Sequence, residues 1–236
     1  ISKFKEINLI NYEILVVDDN SKDNTSELIN KFNADDDRVK IFQRNTYPSL
    51  PMSIWDGISK SQNDFVAWLD ADGSMPAETL KLLVLDIDSN PTSVVIGSRF
   101  ADGGGYKGIE EFGETSFINA VKNVYKSNDS VLGMIFSTLF NKFLKIIFKT
   151  NISDITSGFI VANKSNFSKN IFENANYGDY FIYLVADLIN NKKEIREVGY
   201  ICETRLNGIS KTSTNIFQLI SRGIPYIKVA IEIRKK

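Results

Sequence analysis

Residues 64–76 constrain the fold of this chain more than any other stretch. An apolar run there ends in two carboxylates, Asp70 and Asp72, and is then interrupted by Gly73 and Pro76. Alternate residues on an extended backbone point to the same side, so both carboxylates are expected to face one pocket. Glycine and proline end such a run, which predicts a buried strand followed by a turn and a new helix.

The acid pair at the end of this strand has two interpretations. In an open α/β sheet, ligands bind beyond the carboxyl ends of the strands. Two acidic oxygens there suit a hard divalent cation such as Mg²⁺ or Mn²⁺, and the cation in turn suits a diphosphate. The alternative is an acidic turn that caps the following helix, because Asp-x-Asp alone is a weak signal.

Strand and helix patterns alternate along the chain. Residues 12–19 form a continuous apolar run that ends in acids, which is typical of a strand covered on both faces. Further strands are predicted at 39–43, 64–69, 93–97 and 195–202, and residues 153–162 are expected to form a loop that leads into a strand. Between them the sequence predicts helices at 26–32, 52–61, 77–88, 134–149 and 179–190. This alternation predicts an α/β fold with a mostly parallel central sheet flanked by helices.

The composition removes much catalytic chemistry. The chain has no histidine, which excludes a Ser-His-Asp triad and a histidine-based zinc site. Its single cysteine, Cys202, excludes an internal disulfide and a thiolate metal cluster, and fits a reducing, cytoplasmic compartment. A net charge of −1 gives no overall field that would recruit nucleic acid. Carboxylates, lysine, arginine, tyrosine and an oxygen-liganded metal remain.

Two segments are amphipathic and basic. In 134–149, apolar residues recur at helical spacing, with three lysines on another face: Phe136, Phe140, Phe143, Ile147, Lys142, Lys145 and Lys149. This helix either packs its apolar side on the sheet or lies on a membrane surface. Residues 214–236 are also apolar with basic residues between, and Gly223 and Pro225 predict two amphipathic segments there rather than one.

The domain organisation follows from these patterns. Residues 1–212 are expected to form one domain with a helical insertion at 101–150, and residues 213–236 a C-terminal amphipathic segment at a membrane interface.

Five motifs, in order, carry a resemblance to a known family. They are Val17-Asp-Asp-Asn-Ser-Lys-Asp-Asn-Thr25, Leu69-Asp-Ala-Asp72, Gly97-Ser-Arg-Phe100, Asp154-Ile-Thr-Ser-Gly-Phe159 and Arg205-x-x-Gly-x-Ser-Lys211. The chain resembles the family 2 inverting glycosyltransferases, most closely those that act on polyprenyl and dolichol phosphates. The resemblance implies a GT-A fold, a UDP- or GDP-sugar donor and Mg²⁺ or Mn²⁺. The apolar strand that opens the family has no counterpart here, so the first strand is expected to be missing from this chain.

The resemblance also implies roles on the donor side. Asp18 and Asp19 would lie near the nucleoside, with helix capping as the alternative. Asp70 and Asp72 would hold the metal and, through it, the diphosphate. Arg99 would neutralise phosphate charge, with a surface ion pair as the alternative. Three residues of one loop would gather phosphate oxygens unless that loop is simply a solvated basic one: Arg205, Ser210 and Lys211.

On the acceptor side the resemblance places Asp154, whose alternative is a turn-capping acid. A lipid-phosphate acceptor is already ionised and needs no general base, whereas a hydroxyl acceptor needs a carboxylate to take its proton. Asp154 and Asp179 are both candidates for that base, and the sequence does not choose between them. Arg205 completes the set of candidate catalytic residues.

The function expected from the resemblance is metal-dependent transfer of a sugar to an acceptor, in particular a polyprenyl phosphate, at the inner face of the membrane. The partners are then a nucleotide-sugar, a lipid-phosphate or glycan acceptor and the membrane surface, without nucleic acid. One alternative keeps the fold without catalysis, as a sugar-nucleotide-binding or scaffold protein. Another is a nucleotidyltransferase, although that class usually has a Gly-rich phosphate loop near its start and none precedes residue 97.

Overall fold

A computed structural model describes residues 9, 11–105, 131–203 and 216–235 of the chain. Its strands are β1 (Ile14–Asp18), β2 (Val39–Gln43), β3 (Phe65–Trp68), β4 (Val94–Ser98), β5 (Ile160–Asn163) and β6 (Ile195–Gly199). Its α-helices are α1 (Thr25–Asp35), α2 (Leu50–Lys60), α3 (Ala77–Ser89), α4 (Val131–Phe148), α5 (Lys169–Glu173), α6 (Tyr180–Asn190) and α7 (Ile216–Lys235).

The six strands form two sheets. In one, β1 and β2 pair in parallel; in the other, the order is β3-β5-β4-β6. Strands β4 and β6 are parallel, whereas β5 runs antiparallel to both of its neighbours, β3 and β4. Five of the six strands therefore share one direction within their sheets, and β5 is the exception that the expectation of a mostly parallel sheet allows.

Strands β1 and β3 start at the same edge of the molecule. The carboxylate of Glu13, just before β1, accepts a hydrogen bond of 2.6 Å from the backbone N–H of Gln62, just before β3. Both strands therefore begin beside this contact, and the acids that the sequence singles out follow their carboxyl ends.

The larger sheet separates two apolar cores. Successive residues of β4 point to opposite faces, as strand geometry requires: Val94 and Ile96 join one core and Val95 joins the other. All five residues of β4 are buried, so this strand is covered on both faces. The sequence predicts the same cover for the strand at 12–19, but four of the five residues of β1 are only half-buried. Helix α3 covers one face, and α2, α4, α5, α6 and α7 contribute to the core on the other.

The prediction of two separate segments at the C-terminus is wrong. Helix α7 runs without a break through Gly223 and Pro225. An interior proline removes one backbone hydrogen bond and costs about 3 kcal/mol, which packing of the rest of the helix can offset. Val229 and Ala230 supply that packing, since both are buried in the core shared with α4 and α6. Within the residues that the structure describes, no helix has the combination of length and hydropathy that crossing a bilayer would require.

The apolar residues of α4 do not form the single stripe that their spacing suggests. Leu144 and Ile147 are buried, and Phe140 packs against the same core. Phe143 is instead more than one third exposed. The helix is apolar on a wider arc than one contact can cover, so sequence periodicity alone could not say which part faces inward.

Candidate functional site

Asp70 and Asp72 lie in the turn between β3 and α3, not on the strand itself. Strand β3 ends at Trp68, and Gly73 has a positive φ of 82°, a backbone conformation that favours glycine. The backbone N–H of Ser74 donates to the carboxylate of Asp72 at 3.0 Å. The two carboxylates are therefore placed by a tight turn rather than by the alternation of an extended strand.

One side of this turn packs on the core, and its other side is exposed. Met75 is buried in the core under α3, and its Sδ accepts a hydrogen bond of 3.4 Å from the N–H of Asp70. Asp70 is exposed and Asp72 is half-buried. The residue that precedes α3 is Pro76, so the helix-capping interpretation of the acid pair does not match the structure.

The chemistry of these two carboxylates fits a hard divalent cation. Carboxylate oxygens are preferred ligands of Mg²⁺ and Mn²⁺, which keep several positions for water and phosphate oxygens. Over residues 9, 11–105, 131–203 and 216–235, the structure brings no three side chains of the histidine, cysteine, aspartate or glutamate type into one metal-binding group. Asp70 and Asp72 would therefore hold a metal as a pair, with a ligand completing its shell.

Arg99 and Asp154, predicted for different sides of the site, form a buried ion pair. The guanidinium donates two bonds to the carboxylate, from Nε at 2.7 Å and from Nη2 at 2.8 Å, and the N–H of Arg99 adds a third at 3.0 Å. The side chain of Asp154 is fully buried and that of Arg99 is 15% exposed. The pair is thus not the exposed one that the alternative interpretation of Arg99 expected.

Neighbouring elements hold the loop that carries Asp154. Glu197 on β6 accepts hydrogen bonds from the N–H groups of Ser153 and Asp154, at 2.8 and 3.0 Å. Asn141 on α4 donates to Thr156 at 2.8 Å and accepts from the N–H of Ile155 at 2.7 Å. The loop is tied to β6 and α4 through groups that sequence patterns do not connect.

The charge of Asp70 acts on two buried tyrosines, Tyr180 and Tyr200. Burial raises the pKa of Tyr200 well above its usual range; the charge of Arg99 opposes this, while those of Asp154 and Asp70 add to it. Burial likewise raises the pKa of Tyr180, with a further contribution from Asp70. The charges of Asp70 and of the Arg99–Asp154 pair therefore act on the same buried hydroxyl, that of Tyr200.

Asp18 and Asp19 follow β1 and are held differently. Asp18 is buried and accepts hydrogen bonds of 3.3 Å from the N–H of Ser21, so it closes the turn before α1. Asp19 forms an ion pair with the buried guanidinium of Arg44, which also bonds Asp56 on α2 at 2.7 Å. Arg44 therefore joins the end of β2, the end of β1 and α2 at one point.

Asp179 is buried just before α6. Its carboxylate accepts hydrogen bonds from the backbone N–H groups of Asn176, at 3.0 Å, and Tyr177, at 2.6 Å. The next residue, Tyr180, accepts a hydrogen bond of 3.1 Å from the indole N–H of Trp68, two residues before Asp70. Asp179 therefore holds the loop before α6, and the adjacent Tyr180 contacts Trp68 at the end of β3, just before the turn that carries Asp70 and Asp72.

The other predicted site residues, Arg205, Ser210 and Lys211, lie outside the described residues. Sequence reasoning missed Arg44, Trp68, Tyr180 and Tyr200. Arg44 bonds Asp19, 25 positions away in the chain, and Trp68 bonds Tyr180, 112 positions away. No short motif signals contacts over such distances.

Comparison with known families gives one extended match. The family model described as Glycosyl transferase family 2 matches residues 1–171, which is more than half of the 236 residues.

Curated relatives match shorter segments. The dolichol-phosphate mannosyltransferase of Pyrococcus furiosus is 34% identical over 99 residues, covering 40% of this chain and 26% of that protein. The dolichol-phosphate mannosyltransferase of Mycosarcoma maydis is 30% identical over 95 residues, covering 40% and 32%. The GalNAc(5)-diNAcBac-PP-undecaprenol beta-1,3-glucosyltransferase of Campylobacter jejuni is 34% identical over 73 residues, covering 30% and 24%. The matched segments span about a quarter to a third of the length of these relatives.

Solved structures of glucosyl-3-phosphoglycerate synthase from Mycobacterium tuberculosis are similar over nearly the whole chain. A complex of that enzyme with Mn²⁺, UDP and glucosyl-3-phosphoglycerate has a TM-score of 0.58 at 14% identity, covering 99% of this chain and 75% of that one. A complex with Mn²⁺, UDP-glucose and phosphoglyceric acid has a TM-score of 0.59 at 12% identity, covering 94% and 68%. The shared shape shows that this chain has the GT-A fold.

Proposed function

Because this chain belongs to glycosyl transferase family 2, we propose that it transfers a sugar from a UDP- or GDP-sugar to a polyprenyl phosphate at a membrane surface. One observation carries the proposal: the turn after β3 presents Asp70 and Asp72, one exposed and one half-buried, at the sheet edge where ligands bind in such folds. In this proposal the two carboxylates hold Mg²⁺ or Mn²⁺, and the cation binds the diphosphate of the donor.

The bound metal would supply positive charge to the leaving nucleotide as the sugar–phosphate bond breaks. The residues of this chain would position the metal. The turn holds the two carboxylates, and the buried core under α3 keeps the turn in place. A rigid turn matters because electrostatic stabilisation is strongest when the charged groups need no rearrangement during the reaction.

The state of the two candidate bases favours an acceptor that is already ionised. Asp154 is fully buried and bonded to Arg99 by both oxygens, and Asp179 accepts hydrogen bonds from two backbone N–H groups. A general base must lie within hydrogen-bond reach of the proton that it takes, and these carboxylates instead bond partners within the protein. A phosphate acceptor needs no base, which agrees with the lipid-phosphate acceptors named for the dolichol-phosphate relatives.

The location follows from the acceptor. A polyprenyl phosphate is confined to a bilayer, so we place the protein peripherally at the cytoplasmic, inner face of the membrane. A single cysteine, which is buried, suits that reducing side.

The metal site is tested by nucleotide binding. We expect titration calorimetry with UDP and GDP to show binding that weakens at least about tenfold when the metal is chelated. Asp70→Asn and Asp72→Asn should each lose the metal-dependent part, because a neutral amide is a poorer ligand than a carboxylate. Asp88→Asn, at an exposed position on α3, is the matched control and should bind as the wild type does.

Equal nucleotide affinity in Asp72→Asn and the wild type would remove the metal role from this turn. Sugar transfer to a polyprenyl phosphate is then assayed separately. Metal-dependent binding without turnover of any UDP- or GDP-sugar would favour the alternative of a sugar-nucleotide-binding protein over an enzyme.

A further inference from the structure

Tyr180 is a buried residue beside the candidate site, and the proposed chemistry does not use its hydroxyl. It is the first residue of α6 and is 5% exposed. Its hydroxyl accepts a hydrogen bond of 3.1 Å from the indole N–H of Trp68, the last residue of β3. The two residues are 112 positions apart in the chain, so this bond ties the end of β3 to the start of α6.

The same hydroxyl lies where the two apolar cores approach each other. Tyr180 belongs to one core and Met75 to the other. A side chain at Gly158 would come within 3.4 Å of the Tyr180 hydroxyl and within 3.8 Å of the terminal methyl carbon of Met75. The hydroxyl and the methyl group therefore lie on either side of one small space, which Gly158 leaves open.

Trp68 and Met75 are the two ends of the segment that carries the candidate metal ligands. Residues 69–74, called the acid turn below, lie between them. At one end the indole of Trp68 bonds Tyr180, and at the other the Sδ of Met75 accepts from the N–H of Asp70 at 3.4 Å. Both ends of the acid turn therefore lie next to the hydroxyl of Tyr180.

Aromatic packing fixes the ring of Tyr180. Phe172 stacks on this ring, and Phe181 meets it edge to face, each with centroids 5.9 Å apart. Phe172 also contacts the ring of Trp68 edge to face, at 6.2 Å between centroids. Because such contacts hold a ring in a preferred orientation, they also fix the hydroxyl that the indole of Trp68 bonds.

The charge of Asp70 acts on this hydroxyl as well. It adds to burial in raising the pKa of Tyr180 above its usual value. The hydroxyl therefore stays neutral at the pH values at which a carboxylate pair binds a metal. A neutral hydroxyl can hold the indole of Trp68 in place throughout that range.

We propose that Tyr180 is a positioning residue for the proposed metal site, and that it acts through Trp68 to hold the acid turn. In that position both carboxylates, Asp70 and Asp72, would reach one cation. Groups that hold metal ligands in place change the affinity for the ion without touching it. The inference rests on the proposed function, because it assigns a support to the same metal site.

Tyr180→Phe tests this role, because it removes the hydroxyl and keeps the ring. Titration calorimetry with UDP and with GDP, in Mn²⁺ and in chelator, gives the factor by which metal tightens nucleotide binding. We expect this factor to fall about three- to tenfold in the variant, since a displaced acid turn binds the metal less well. The affinity measured in chelator should stay that of the wild type. Trp68→Phe should have the same effect.

The double variant Tyr180→Phe with Trp68→Phe tests whether one shared bond carries the effect. If it does, removing both partners should lower the metal factor no further than removing one. Losses that multiply would show that the two side chains act independently, and would contradict the proposal. Electron paramagnetic resonance of free Mn²⁺ measures metal binding by the same proteins without any sugar transfer.

Two control variants on α6 separate the position of the hydroxyl from the stability of the fold. Tyr183→Phe removes a half-buried hydroxyl one turn further along the helix. Leu188→Val shortens a buried core side chain and should lower the melting temperature. Both should keep the metal factor of the wild type, because neither removes the bond to Trp68. Circular dichroism establishes that every variant is folded.

Two results would overturn the proposal and leave the metal site in place. One is a metal factor in Tyr180→Phe equal to that of the wild type. The other is a loss of affinity of equal size with metal and with chelator, which would give the hydroxyl a purely structural role. A wild type whose nucleotide binding does not respond to metal would instead remove the proposed metal site and this inference with it. The two failures are therefore distinguishable.

Discussion

At the scale of single residues, the candidate site is held together by charged groups that find their partners across the fold. Arg99 and Asp154 are 55 positions apart, yet their side chains meet in a two-bond pair with almost no exposure. A buried pair of this kind pays for its desolvation only while both charges are present. Removing one partner of the Arg99–Asp154 pair is therefore expected to lower stability more than removing both.

Asp154→Asn is expected to destabilise the protein by about 3–5 kcal/mol, because it leaves the Arg99 guanidinium buried without its counter-charge. Urea unfolding followed by circular dichroism measures this. The double variant Arg99→Met with Asp154→Leu should recover much of the loss, since it removes both charges together.

The control is Glu173→Gln, which breaks the exposed pair between Lys169 and Glu173 on α5 and should change stability little. A single Asp154→Asn variant as stable as this control would mean that the Arg99–Asp154 pair contributes nothing to the fold.

Sequence reasoning proposed the candidate site residues but could not supply their partners in the fold. Asp70 and Asp72 could be predicted because one turn holds both, within a dozen residues of strand, glycine and proline signals. The engagement of Asp19 by Arg44 could not, since it depends on β1 and β2 lying side by side. The sequence predicts separate roles for Asp154 and Arg99, because it does not show that two charges far apart in the chain share one buried site.

At the scale of elements, most strands and helices begin and end within a few residues of their predicted bounds. Short apolar runs bounded by turn residues predict such elements well, as β2 and α3 show. The exceptions are helices whose environment decides the outcome. Packing against the core keeps α7 helical through Gly223 and Pro225. The elements that pack against α4 determine which of its sides is buried.

The contact between β1 and the segment before β3 predicts a pH dependence. Partial burial acts to raise the pKa of Glu13, but hydrogen bonds from the Gln62 N–H and the Lys40 ammonium outweigh it and hold the pKa below its usual value. A lowered carboxyl pKa stabilises the fold above the unfolded-state pKa of about 4.3, and that stability is lost as the pH falls through the folded-state pKa.

Glu13→Gln should therefore lower the free energy of unfolding by about 1 kcal/mol at neutral pH, and its difference from the wild type should shrink as the solution is acidified. Urea unfolding across the acid range measures both. Glu27→Gln, an exposed acid on α1, is the control. A Glu13→Gln difference that does not change with pH would show that ionisation is not what this contact contributes.

At the scale of the whole molecule, the two sheets differ in how completely they are covered. Every residue of β4 is buried and β4 pairs on both sides, with β5 and β6. Four of the five residues of β1 are only half-buried, and within the described chain β1 pairs with β2 alone. The division of the chain at residues 212 and 213 stays a prediction, although α7 contributes buried residues to the larger core.

This difference in cover has a consequence for local unfolding. Regions with fewer buried contacts open at a lower free energy than the global one, so amides of β1 and β2 should exchange with deuterium faster than those of β4 and β5. Native-state exchange read by mass spectrometry measures this, and equal protection in both sheets would contradict it. Asp18 and Asp19 sit on the part expected to open first. A nucleotide bound at that edge would stabilise the small sheet formed by β1 and β2. It would therefore slow amide exchange in these two strands before any sugar transfer occurs.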